Sequence, residues 1–171
     1  IGDQGSSLIM LGDGTLYAAV GRYYGPTRFL VSRDGGASFG PPVEIAPDLG
    51  DLDAPVARMI ADPSGKRVAI VWYGAHRFGN TYLSRSSDWG VHWSRPETLT
   101  PKGTLAAITF NSKGGLEAIW TEGQENSDGS TWVDVKRARS ESFEGPLERP
   151  GISLEGGGYL CTQELDLGAF Q

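Results

Sequence analysis

Short, mostly apolar runs alternate along this chain with clusters of Gly, Asp, Asn, Ser and Pro, the pattern of strands separated by tight turns. Three runs are alike: Leu16-Tyr17-Ala18-Ala19-Val20, Val68-Ala69-Ile70-Val71-Trp72 and Leu116-Glu117-Ala118-Ile119-Trp120. A hairpin-type turn opens each: Gly12-Asp13-Gly14-Thr15, Asp62-Pro63-Ser64-Gly65-Lys66-Arg67 and Asn111-Ser112-Lys113-Gly114-Gly115. Aligning the runs puts Val20, Trp72 and Trp120 at one position. Such self-similarity at a fixed period is the mark of a repeat architecture.

A second marker shares the period. Ser32-Arg33-Asp34-Gly35-Gly36-Ala37-Ser38-Phe39 and, 54 residues on, Ser86-Ser87-Asp88-Trp89-Gly90-Val91-His92-Trp93 both read Ser-x-Asp-x-Gly-x-polar-aromatic. A short extended stretch containing proline follows each. Arg139 to Pro146 fits the period as a decayed third copy that keeps an aromatic, Phe143, and a Gly-Pro but has lost the aspartate.

Each unit therefore reads strand, turn, strand, loop, strand, Asp turn, short strand, which predicts the four-stranded antiparallel blade of an all-β propeller. The blades run approximately over 5–47, 54–100 and 104–150. Residues 158–171, Gly158-Tyr159-Leu160-Cys161 and onward, read as the first strand of another blade. Propellers close with roughly 4 to 8 blades, so three blades and part of a fourth predict a partial propeller. The expected partner is the rest of a longer propeller chain, or a partner subunit completing the ring.

Composition narrows the function. Twenty-five glycines in 171 residues suit many turns better than packed helices. The net charge of −6, with basic residues scattered, would repel a phosphate backbone and argues against a nucleic-acid partner. No apolar run reaches the roughly 20 residues of a membrane-spanning helix, so no transmembrane segment is expected in this chain. Cys161, the single cysteine, cannot close an intrachain disulfide and reads as a small core residue. No cofactor is implied. The acidic stretch Pro47 to Pro55, with Asp48, Asp51 and Asp53, lacks the spacing of a calcium loop and reads as a surface loop, so no metal site is assigned.

The Ser-x-Asp units at blade spacing resemble the Asp boxes (BNR repeats) of the sialidase superfamily, over residues 5–150. Ser32, Asp34, Gly36 and Phe39, with Ser86, Asp88, Gly90 and Trp93, are then structural. The carboxylate accepts N–H bonds in a tight turn, the glycine permits positive φ, and the aromatic folds beneath the turn. The resemblance implies a six-bladed ring and an exported protein, extracellular or periplasmic.

Family sialidases hold a substrate carboxylate with three arginines, whose forks match it. They attack with a tyrosine activated by a glutamate and use an aspartate as acid and base. Where the first arginine is expected, this chain has Gln4-Gly5-Ser6-Ser7-Leu8-Ile9. The loop expected to carry the aspartate, Arg22 to Arg28, contains no carboxylate. No catalytic residue is assigned. The resemblance implies a non-catalytic or degenerate module that binds a glycan or a protein, or serves as a structural subunit. The alternative is an incomplete portion of a glycoside hydrolase of the exo-α-sialidase type.

Ligand contacts are expected in the loops after each blade's second strand, on the face opposite the Asp turns. These loops supply Arg22, Tyr23 and Tyr24, then His76 and Arg77, then Glu122 with Glu125 and Asp128. Together they offer rings for stacking and charged groups for hydrogen bonding. Tyr73 ends its strand beside the second loop. Plainer roles, strand-end tyrosines with wet hydroxyls and a solvated histidine, compete with ligand binding at each position.

Overall fold

The structure is a computed structural model that describes residues 3–22, 25–45, 56–73, 79–125, 131–148 and 158–159. Within these residues every regular element is a strand, and no helix is long and apolar enough to cross a membrane. Strands β1 (Asp3–Met10), β2 (Leu16–Arg22), β3 (Gly25–Ser32) and β4 (Val43–Ile45) form one antiparallel sheet in that order, the first blade. The second sheet contains β5 (Val56–Ala61), β6 (Val68–Tyr73), β7 (Gly79–Ser86), β8 (Glu97–Phe110), β9 (Leu116–Glu125), β10 (Thr131–Arg139) and β11 (Gly158–Tyr159), again in chain order. The chain is thus an all-β, partial β-propeller of antiparallel blades.

The second sheet carries two blades on one shared strand. Residues of β8 up to Thr100 pair with β7, and Thr104 onward pairs with β9. Gly103 faces both Gly79 and Glu122. Where a break between blades was expected, near residues 100–104, the strand instead runs through. Register shifts on either side absorb the change of partner. A side chain at Gly103 would place its Cβ 2.4 Å from both Thr100 Cγ2 and Thr81 Oγ1. The pivot therefore has to be glycine.

The alternation of β6 explains the stacking. Val68, Ile70 and Trp72 point to the first blade and join Tyr17, Ala19, Phe29 and Ile45 in one core. Ala69 and Val71 point the other way and join Leu116, Ala118, Trp120 and Phe143 of the third blade in a second core. A strand buried on both faces has no polar positions to alternate with, so β6 is apolar at every residue from Val68 to Trp72. Trp72 and Trp120 fill the inter-blade layers as expected, and each such burial is worth roughly 1.5–3 kcal/mol.

The outermost apolar positions lack this cover. Leu16, Ala18 and Val20 occupy the repeat positions of Val68, Ile70 and Trp72 but are only half-buried. Beside them on β1, Leu8 is 64% and Met10 73% exposed. On the far face of the third blade Ile119 and Val135 are exposed as well.

Gly158–Tyr159 was expected to open another blade. It pairs instead with Val133 and Trp132 of β10, on the outer edge of the third blade. The remainder of that segment, Cys161 included, lies outside the described residues.

Candidate functional site

Antiparallel order sorts the connections to two ends. The hairpin turns and the Ser-x-Asp turns share one end: Trp89 N–H donates to Lys66 O at 3.0 Å, and Asn111 Nδ2 donates to Ser140 O at 2.8 Å. The ends of β2, β6 and β9 and the starts of β3, β7 and β10 lie at the other.

At the turn end, the two intact units are alike. Asp34 accepts from Ser32 Oγ at 2.7 Å, from the Ser38 N–H at 2.9 Å and from Ser38 Oγ at 2.5 Å. Asp88 accepts from Ser86 Oγ and from the His92 N–H, each at 2.9 Å, and its other oxygen lies 2.6 Å from His92 Nδ1. In both, the serine oxygen also takes an N–H from the glycine four residues on, Gly36 or Gly90, at 2.9 Å. Bonds that favour the charged form lower a carboxyl pKa. The Ser38 hydroxyl and N–H, followed by Ser32, bring Asp34 to about 2. The His92 N–H and ring do the same for Asp88, also to about 2. Gly36 and Gly90 sit at φ 94° and 80°, where the missing Cβ is needed.

The aromatics differ. Trp93 lies edge-on to Phe29 of the first blade, centroids 5.2 Å apart, and its indole N–H donates to Gly90 O. Phe39 does not fold under its turn; it is 41% exposed, because no preceding blade among the described residues offers it a ring.

The third unit is better preserved in backbone than in sequence. Ser140 Oγ accepts the Leu116 N–H, and Gly145 N–H donates to Ser142 O as Val91 does to Asp88 O. Arg139 bridges Glu148 as Arg85 meets Ser94, so each loop returns eight residues after its first serine. This register corrects the sequence alignment. Leu147 takes the place of Phe39 and Trp93, while Phe143 stands at the position of Gly35 and Trp89. Phe143 is buried there, with the Arg67 guanidinium 5.8 Å from its ring.

Between the second and third blades a groove of about 440 Å³ opens at this end. Arg85 forms its floor: the side chain is 11% exposed, pairs with Glu97 at 3.1 Å and donates to Phe143 O and Gly145 O at 3.1 and 2.7 Å.

At the opposite end, Arg22 closes β2, its backbone paired with Gly25 and Asp3. Glu122 occupies the same repeat position in β9, six residues after Leu116 as Arg22 is six after Leu16. Glu122 accepts the Trp120 indole N–H at 3.0 Å. In the second blade the corresponding residue is Gly74, and the buried Trp72 Nε1 has no partner among the described residues. Thr27 and Thr81, 54 residues apart, are also buried with unpaired hydroxyls. Tyr73 and Glu125 end β6 and β9. Tyr23, Tyr24, His76, Arg77, Asp128 and the acidic stretch 47–55 lie outside the described residues. Among the described residues no cluster of His, Cys, Asp and Glu could hold a metal ion.

No protein-family model matches this sequence, and no curated protein does. Solved structures do. An α-L-arabinofuranosidase from Podospora anserina, solved in complex with cellotriose, superposes with TM-score 0.51 at 14% identity over 84% of this chain and 48% of its own. A protein of unknown function from Dyadobacter fermentans gives 0.49 at 16%, over 91% of this chain and 66% of that one. A xylan β-1,4-xylosidase from Bacillus halodurans gives 0.46 at 16%, over 87% and 42%. The chain spans about half the length of the arabinofuranosidase, and at such identities that likeness is one of fold, a propeller.

Proposed function

We propose that this chain is a stretch of a sialidase-like propeller, of the six-bladed kind, that binds a carbohydrate without hydrolysing it. The binding face is the end carrying the β2–β3, β6–β7 and β9–β10 connections. One observation carries the reading: Arg22 and Glu122, singled out as ligand contacts, fall at the same repeat position at that end, away from the Ser-x-Asp turns. Arg22 supplies a fork of donors and Glu122 an acceptor, with Tyr23, Tyr24, His76 and Arg77 completing the set. The sialidase-like assignment is supported by the matching hydrogen-bond sets of Asp34 and Asp88. Its non-catalytic character is supported by the absence of arginine from residues 4–9 and of a carboxylate from residues 22–28.

The exposed face of Leu8 and Met10, with half-buried Leu16, Ala18 and Val20, is the repeat equivalent of the surface on which the second blade receives the first. A further blade, from a longer chain or a partner subunit, covers it in this reading.

A glycan array followed by calorimetric titration of the strongest ligand tests the proposal. Arg22→Ala is expected to weaken binding at least tenfold, with no release of fluorophore from a fluorogenic sialoside by either protein. Turnover of that sialoside at an enzyme-like rate, lost in Arg22→Ala, would establish the exo-α-sialidase type of hydrolase instead. Absence of any glycan binding would remove the carbohydrate reading altogether.

A further inference from the structure

At the turn end the first and second blades meet in a closed seam. Phe29 lies edge-on to Trp93, centroids 5.2 Å apart, and a Cβ on Gly90 would come within 2.0 Å of Phe29 Cε1. At the positions 54 residues on, the seam between the second and third blades has Leu83 for Phe29, Leu147 for Trp93 and Glu144 for Gly90. Leucines thus stand where an aromatic pair closes the other seam. Here the groove of about 440 Å³ opens, with Leu83, Trp93 and Phe143 as its apolar lining. Its volume suits one small ligand.

Most charges around the groove are already matched within the protein. Arg85 pairs with Glu97, and its Nη1 donates to two carbonyls of the third unit, Phe143 O and Gly145 O. With these donors engaged, what Arg85 has to offer a ligand is chiefly the flat face of its guanidinium, on which aromatic rings stack. Asp88 pairs with His92. Arg95 from the second blade and Glu144 from the third are the remaining lining charges; both are exposed, and neither has an ion-pair partner among the described residues. The groove therefore combines an apolar floor with one free cation and one free anion.

We propose that this groove binds a small zwitterionic aromatic molecule, of the class of free phenylalanine, tyrosine and tryptophan. The ring enters between Leu83 and Phe143 beside Arg85, where the other seam holds its own aromatic pair. The carboxylate meets the Arg95 fork and the ammonium meets Glu144. A simple anion would leave Glu144 opposing it, and a neutral sugar would use neither charge. The site lies at the turn end and is independent of the loop-face site above.

The test uses the whole chain, with affinity for the three free amino acids from calorimetry and stability from thermal melting. At least one of them is expected to bind, and free alanine, which keeps both charges without the ring, to bind at least tenfold more weakly. Arg95→Gln and Glu144→Gln, both at exposed positions, should each cut affinity at least tenfold with the melting temperature unchanged. Phenethylamine, which lacks the carboxylate, should bind more weakly than phenylalanine and be indifferent to Arg95→Gln. Leu83→Phe should close the groove and abolish binding; if that variant does not fold, the two glutamine variants decide. Failure of all three amino acids to bind would overturn the proposal. So would alanine binding as tightly as they do, or affinity unchanged by either glutamine variant or by a folded Leu83→Phe.

Discussion

Gly90 offers the sharpest test of how the blades hold together. It sits at φ 80°, so alanine there carries the left-handed cost of about 1–2 kcal/mol. The new Cβ would also lie 2.0 Å from Phe29 Cε1, 2.6 Å from Cζ and 2.7 Å from Cδ1. Phe29 cannot yield easily, being 1% exposed and wedged between Tyr17 at 5.1 Å and Trp93 at 5.2 Å. Forcing extra volume into such a site costs a further ~1–3 kcal/mol. Gly35→Ala supplies the reference, because Gly35 has φ 67° and open space where its Cβ would be. Gly90→Ala should therefore destabilise by about 2–5 kcal/mol and Gly35→Ala by about 1–2 kcal/mol. At about 2–4 °C per kcal/mol for a chain this long, the two melting temperatures should part by several degrees. Urea unfolding measures both, and the Phe29→Leu background should bring the cost of Gly90→Ala down toward that of Gly35→Ala. Equal losses for the two alanine variants would refute the reasoning, since they would show that the turn of the second blade does not bear on the first.

Other expectations rest on single contacts. Arg85→Ala strips Phe143 O and Gly145 O of their donor and leaves Glu97 unpaired; a loss of about 3 kcal/mol in denaturant unfolding is expected, little changed by salt. Thr27→Val and Thr81→Val each remove a buried hydroxyl without a partner among the described residues and should add about 1 kcal/mol or less of stability, read as a slightly higher melting temperature. Asp34 and Asp88 titrate near 2 in the folded chain against an ordinary 3.8, so their stabilisation is fully present above pH 4 and fades as the pH falls toward 2. Urea midpoints measured from pH 5 to pH 2 should fall in that window, and Asp34→Asn with Asp88→Asn should flatten the fall.

The strands and their order were legible because two signals with one period fix them. The hairpin turns locate β2, β6 and β9, and the Ser-x-Asp turns locate the ends of β3 and β7. The packing role of Trp72 and Trp120 followed from their alignment. Three features were not legible. Composition cannot show that β8 runs on past Pro101, because continuity depends on Gly103 finding partners on two strands at once. The third turn keeps its length without its aspartate, so matching residue types put Phe143 in the aromatic place that the backbone gives to Leu147. The exposure of Phe39 depends on the absence of a facing ring among the described residues, which no local pattern records. The groove between the second and third blades also escaped, because its lining joins Ser87 and Asp88 to Phe143 and Glu144 of the next repeat unit. At the loop end, sequence placed Arg22 and Glu122 at matching positions near the ends of β2 and β9.

The shared strand β8 has a bearing on how the molecule comes apart. A single backbone ladder passes from β7 through β8 to β9, so the second and third blades have no loop between them at which one could open while the other stays closed. They should behave as one cooperative unit in hydrogen exchange, with amides on either side of Gly103 exchanging through the same opening. The first blade is a separate sheet, held to β5 and β6 through side chains, and could detach as a unit of its own. Denaturant-dependent exchange would then report two openings for three blades, with the seam between the first and second.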